Sequence, residues 1–251
     1  MGEALLQVDG LTKRYGALVA VDNVSMHVGK GEVRAVIGPN GAGKTTLFHL
    51  ITGVVPPTSG RVRFAGSEIT RLPPHAICQR GLSRTFQLTS LYPRLSARDN
   101  AMLAAQARHP RRWAPFGGGA VFARARAAGD GALERLGLSR VADRPAGLLS
   151  HGDQRLLEVA MAMAQEPEVL LLDEPTQGLS VEETAQAVGT LAGLLGQAPI
   201  TVLLVEHDME VVFRLAHKIS VVHRGAVIAD DTPAAVKVNA RVQDAYLGGM
   251  E

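Results

Sequence analysis

Apolar and polar residues alternate through the first third of the chain with the two-residue period of half-buried strands, at LLQV (5–8), VDNVSMHV (21–28), EVRAVIG (32–38) and RVRFAG (61–66). One helix, KTTLFHLITG (44–53), is predicted between the last two. From about Ser96 to Glu166 the apolar spacing becomes helical. Within that stretch RHPRRWAPFGGGAVFARAR (108–126), rich in Pro, Gly and Arg, reads as a connection between helices. Short, continuous apolar runs follow (VLLLD, ITVLLVE, KISVVH, AVIAD), interleaved with the helical segments VEETAQAVGTLAGLLG and MEVVFRLAH. Buried strands alternating with helices predict a largely parallel sheet covered by helices, with the helical middle inserted between two halves of one α/β core.

Composition narrows the class more than the partner. The 251 residues are 46% hydrophobic and 20% charged, the balance of a globular protein with a sizeable core. A formal charge of +2 gives no reason to expect nucleic acid. One cysteine, Cys78, excludes an internal disulfide and a cysteine-based zinc cluster, and points to a reducing compartment. The opening MGEALLQVDGLTKRYG lacks the apolar core of a secretory signal, and runs such as ITVLLV are strand-length. A role at a membrane therefore needs another subunit to cross it.

Candidate chemistry begins at GPNGAGKT (38–45), which matches G-x-x-x-x-G-K-[ST] in full between a predicted strand and a predicted helix. Glycines there let backbone N–H groups curl around a β-phosphate, while Lys44 reaches the β/γ oxygens and the Thr45 hydroxyl suits Mg²⁺. EVLLLDEP (168–175) adds a buried strand ending in adjacent carboxylates. Asp173 suits a Mg²⁺ shell, and Glu174, turned the other way by strand alternation, can orient or deprotonate a water. Gln87, His207 and Tyr15 each have a plain alternative taken singly: a solvated loop residue, a structural histidine and a packed aromatic.

LSHGDQR (149–155) looks like a helix start, with Ser150 and Asp153 at capping-box spacing before an apolar-periodic run. Gly152 in its first turn is unexplained by capping. A helix N-terminus with a missing side chain suits the close approach of an anion.

The order of these elements resembles the nucleotide-binding subunit of an ABC transporter: a Tyr ahead of the P-loop, a Gln after it, an LSGGQ-like helix start, the Asp-Glu strand, and a His on the next strand. RTFQLTSLY, LSHGDQRLLEVA, LLLDEPTQGLS, VEHDMEVV and VQDAYLGG narrow the likeness to ATPases of branched-chain amino acid importers and their relatives for similar solutes. The resemblance implies a P-loop NTPase fold with a RecA-like core (1–86 and 167–251), an N-terminal antiparallel β part, and a helical subdomain (87–166) carrying the signature. It places Tyr15 on adenine and Gly38, Asn40, Gly41, Gly43, Lys44, Thr45 and Thr46 around the phosphates of ATP. Thr45, Gln87 and Asp173 fall at Mg²⁺, Glu174 is the base, and His207 meets the γ-phosphate.

Ser150, Gly152 and Gln154 then face the nucleotide of a second cassette, a related paralogue or another copy, in a head-to-tail pair. Implied partners are two integral membrane permease subunits, docking on the segment after Gln87, and a periplasmic or extracellular solute-binding protein, with no nucleic acid. The implied location is peripheral, on the cytoplasmic face of the inner membrane. His151 in place of the first signature Gly, and Ser180 where many members carry Asp, depart from the family pattern. An exporter ATPase, for lipid or another solute, and a soluble non-transport ABC ATPase are the alternatives left open.

Overall fold

Strands β1 (Ala4–Tyr15) and β2 (Leu18–Gly29) pair as an antiparallel hairpin, with partners running from Ala4 and Gly29 to Tyr15 and Leu18. The computed structural model describes residues 4–85, 91–108, 118–197 and 200–247. Both strands alternate buried with exposed residues because only one face is covered. On its other edge β1 pairs antiparallel with β4 (Ser59–Phe64), which carries the short β5 (Ser67–Glu68).

A second arrangement of strands answers to the continuous apolar runs. All five residues of β3 (Val33–Ile37) are buried, and β3 lies parallel between β8 (Thr201–Val205) and β9 (Lys218–His223). β10 (Ala226–Asp231) departs from the parallel expectation and runs antiparallel to β9. Only Arg224 and Gly225 separate the two, at φ 49° and 84°, the left-handed pair of a tight hairpin and too short a link for a crossover. Helix α1 (Lys44–Ile51) leaves β3, and α7 (Met209–Leu215), capped by Asp208, joins β8 to β9. The short α8 (Pro233–Lys237) and α9 (Ala240–Leu247) follow β10. Ala35, Ile37, Val212, Ile219, Val221 and Val236 close one core cluster. Arg34 is buried in this strand with its Nε on Glu32 and its Nη1 on Ser220 and Asp230.

The chain divides into two compact units, Met1–Ile77 with Pro199–Glu251, and Cys78–Ala198. Between α1 and the boundary lies the start of α2 (Pro74–Gln79). In the second unit a short strand β6 (Leu82–Arg84), which the apolar pattern does not reveal, pairs parallel with β7 (Val169–Asp173). That unit also holds α3 (Ala97–Arg108), α4 (Gly118–Arg135), α5 (His151–Ala164) and α6 (Val181–Gln197). Residues 118–126, read above as connection, are the start of α4, since the Ala and Arg of AVFARARAA are strong helix formers that outweigh the preceding glycines. No helix among the described residues is long and apolar enough to cross a membrane.

Asn100 on α3 is fully buried and pins the chain leading into the helix. Its Oδ1 accepts the Tyr92 N–H at 2.8 Å, and its Nδ2 donates to the carbonyls of Ser96 at 2.9 Å and Tyr92 at 3.1 Å. Asn100→Ala strands these backbone groups, so urea unfolding is expected to show a loss of about 1–3 kcal/mol. An unchanged urea midpoint would contradict the pinning role.

Candidate functional site

The Gly-rich loop leaves the end of β3 and is pressed against its neighbours. A Cβ on Gly38 would lie 2.0 Å from the Val222 carbonyl oxygen of β9, and one on Gly43 would lie 2.2 Å from that of Ala20 on β2. Gly43 is also at φ 102°, where side chains are strained, so glycine is demanded twice over at the helix start. The loop closes through Ala42 N–H to Pro39 O (3.2 Å) and Gly225 N–H to Ala42 O (2.9 Å). Gly43 supplies no side-chain cap, and the first-turn N–H groups of α1, at Lys44, Thr45 and Thr46, have no intrahelical acceptor.

Lys44 curls into the loop and donates to the carbonyls of Gly38 (2.6 Å) and Pro39 (3.0 Å). Only 7% of it is exposed, so its charge is held at the loop instead of reaching solvent. Asn40 and Gly41 stand exposed at the rim, and Thr45 and Thr46 are half-buried. A buried cation at the start of a helix suits an anion.

Two further residues of the same unit bear on it. Tyr15 ends β1 with its ring 48% exposed and Lys13 Nζ 5.0 Å from the ring centroid, an aromatic face open for stacking. His207 is exposed, two residues beyond Val205, whose partner across the parallel ladder is Val36. Gly38 lies two beyond Val36, so register brings His207 and the loop out of the same end of the sheet. Gln87 lies outside the described residues.

In the second unit Asp173 ends β7 almost wholly buried. Its Oδ2 accepts from Arg84 Nη2 at 2.5 Å, and its own N–H donates to Thr85 Oγ1 at 3.2 Å. The other oxygen, Oδ1, is buried with no hydrogen bond among the described residues. An orphaned hard oxygen on one carboxylate fits a Mg²⁺ ion that keeps waters and phosphate oxygens as its other ligands. Glu174 follows at φ 48°, a left-handed backbone unusual for a side-chain-bearing residue, and is half-buried. Neither Arg84 nor Thr85 was foreseen, since an Arg paired across two short strands leaves no periodic signal.

At the LSHGDQR segment Ser150 caps α5, its Oγ accepting the Asp153 N–H at 3.2 Å. The reciprocal arm of the expected box is replaced: the Asp153 carboxylate takes Arg140 Nη2 at 2.6 Å. Gln154 donates back to Leu149 O at 3.1 Å, and His151 is exposed. A Cβ on Gly152 would meet nothing nearer than the Glu183 side chain at 3.6 Å, an ordinary contact. The fold of the chain therefore does not itself require glycine there. Gly152 is nonetheless buried, and its N–H donates to Glu183 Oε1 at 3.3 Å. Glu183 and Ser180 form the complete capping box that Ser150 does not: Ser180 N–H to Glu183 Oε2 at 3.0 Å, Glu183 N–H to Ser180 Oγ at 3.3 Å. The S-x-x-E spacing of residues 180–183 was the available signal.

The family model described as ABC transporter matches residues 21–177. The chain belongs to the ABC transporter family. A second model, branched-chain amino acid ATP-binding cassette transporter, matches residues 226–251. The cassette is 42% identical to the high-affinity branched-chain amino acid transport ATP-binding protein BraF of Pseudomonas aeruginosa, over 99% of each chain. Among solved structures it resembles the ADP conformation of MJ1267, an ATP-binding cassette of an ABC transporter, at TM-score 0.84 and 29% identity over 98% of this chain and 99% of that one. It also resembles a dimeric post-hydrolysis state of the cassette MJ0796 bound to ADP and Pi, at TM-score 0.74 and 25% identity over 91% and 98%. The fold is thus that of an ABC ATPase, as the motif order implies.

Glycine replacements are expected to separate the two helix starts. Gly43→Ala collides with backbone and lowers the thermal midpoint, whereas Gly152→Ala leaves it unchanged or raises it, by up to about 1 kcal/mol in stability. Equal destabilisation of the two in a thermal melt would refute the contrast.

Proposed function

We propose that this cassette binds MgATP and hydrolyses it as one half of a head-to-tail pair, energising import of branched-chain or related amino acids through separate membrane subunits. The near-full-length likeness to BraF carries the solute class. Gly152, glycine without an internal need, supports a visitor from a second cassette.

Adenine stacks on Tyr15, and the loop from Gly38 to Thr46 with Lys44 takes the phosphates. Mg²⁺, when bound, offsets charge on the β/γ oxygens; the Thr45 hydroxyl, Asp173 and Gln87 are the groups to hold it. Arg84 fixes the Asp173 carboxylate by one oxygen and leaves Oδ1 for that purpose. Glu174 accepts a proton from the attacking water, and its left-handed backbone sets it apart from the direction of Asp173. His207 donates to the γ-phosphate. From the opposite cassette Ser150 contributes its hydroxyl, which can donate while still accepting from Asp153, and Gly152 its N–H. Gln154, tied to Leu149, holds the backbone of this turn.

The opposite cassette is a related paralogue or a second copy. Residues 87–166 receive two permease subunits, a solute-binding protein delivers the solute, and the cassette lies peripherally on the cytoplasmic face of the inner membrane. ATP-driven closure and hydrolytic reopening then bias the permease between its states.

Glu174→Gln is expected to keep ATP binding, lower turnover about 10²–10⁴-fold and accumulate ATP-bound pairs; undiminished turnover sinks the assignment of the base. Affinity capture of the tagged chain from detergent-solubilised membranes should bring down integral membrane subunits. Their absence, with the chain intact, would favour a non-transport ATPase.

A further inference from the structure

The amide proposed to greet the partner's γ-phosphate is already in use. Gly152 is buried, and the three nearest atoms around its Cβ position are Cβ, Cγ and Oε1 of Glu183, so this side chain is what lies over it. The recess at the start of α5, lined by Arg140, Ser150, Gly152, Asp153 and Glu183 among others, has a volume of about 50 Å³. That is the scale of one or two waters, and a phosphoryl group enters only if Glu183 yields.

The two oxygens of Glu183 are held unequally. Oε2 serves the local capping box on α6 at 3.0 Å from the Ser180 nitrogen, and Oε1 reaches across to the other helix at 3.3 Å. Charge compensation is also unequal: Arg140 pairs with Asp153, while no Lys or Arg pairs with Glu183 among the described residues. The N–H groups of Ser180 and Gly152 hold the Glu183 carboxyl below the usual carboxylate range, so it is an anion at neutral pH.

We propose that Glu183 is an intrachain placeholder for the γ-phosphate: its carboxylate occupies the Gly152 N–H while cassettes are apart and is displaced as they close on ATP. This rests on the head-to-tail reading above. Two anions cannot share one amide donor without repulsion, so closure must overcome Glu183, and its return after phosphate release favours reopening. The capping box survives the exchange and keeps α6 intact.

Glu183→Gln isolates the effect. S-x-x-Q still forms a capping box through Oε1, whereas the amide nitrogen cannot accept from Gly152 and carries no charge. In a Glu174→Gln parent, ATP-dependent association followed by light scattering is expected to reach half-maximum at ~10-fold lower ATP when Glu183→Gln is added, the scale of one surface charge repulsion removed. In the isolated chain without nucleotide, the Gly152 amide resonance should move on the same substitution. If the parent associates and the variant needs equal or more ATP, or if the Gly152 resonance stays put, the placeholder is overturned and the pairing stands. If neither protein associates with ATP, the head-to-tail reading falls and the placeholder with it.

Discussion

An α-helix leaves the N–H groups of its first turn without intrahelical acceptors, and this cassette turns that constraint to use at two helices in different units. At α1 the start is a glycine jammed against the Ala20 carbonyl, so no side chain can cap it and Lys44 brings a buried positive charge to the same place. At α5 Ser150 caps one amide and Glu183 takes another. One terminus excludes a capping side chain by steric contact. The other is held by an anion of the chain itself.

Chemistry follows from where the strands stop. Parallel pairing of β3 with β8 brings the P-loop and His207 out at one end of a buried sheet, because register, not proximity in sequence, fixes which residues emerge together. In the other unit, pairing of β6 with β7 puts Arg84 in reach of Asp173 and leaves one carboxylate oxygen without a hydrogen bond among the described residues. The backbone then turns left-handed at Glu174, so the two adjacent acids do not continue one strand.

The glycine-rich loop and the carboxylate strand are legible in the sequence because each is a contiguous motif, but β7 stops at Asp173 and a left-handed turn, not strand alternation, sets the backbone of Glu174. The α4 start at Gly118 runs against the glycine content of its segment, which the Ala and Arg that follow outweigh. β6 is three residues long and carries no periodicity, so its partner role for β7 was invisible. Ser150 and Asp153 have capping-box spacing, yet the complete box is Ser180 and Glu183; Arg140 takes the Asp153 carboxylate from a turn thirteen residues away, which no spacing rule anticipates. Ser180, noted as a departure from the family, proves to be a cap.

In the proposed head-to-tail pair the start of α5 meets a γ-phosphate held by the second cassette. Vanadate trapped with ADP takes the place of that phosphate, and ultraviolet light then cleaves backbone in contact with it. Irradiation of the intact vanadate-inhibited complex should cut this chain at Ser150–Gly152 as well as within its own loop at Gly38–Thr46. Cleavage confined to the loop, with α5 untouched, would contradict the account.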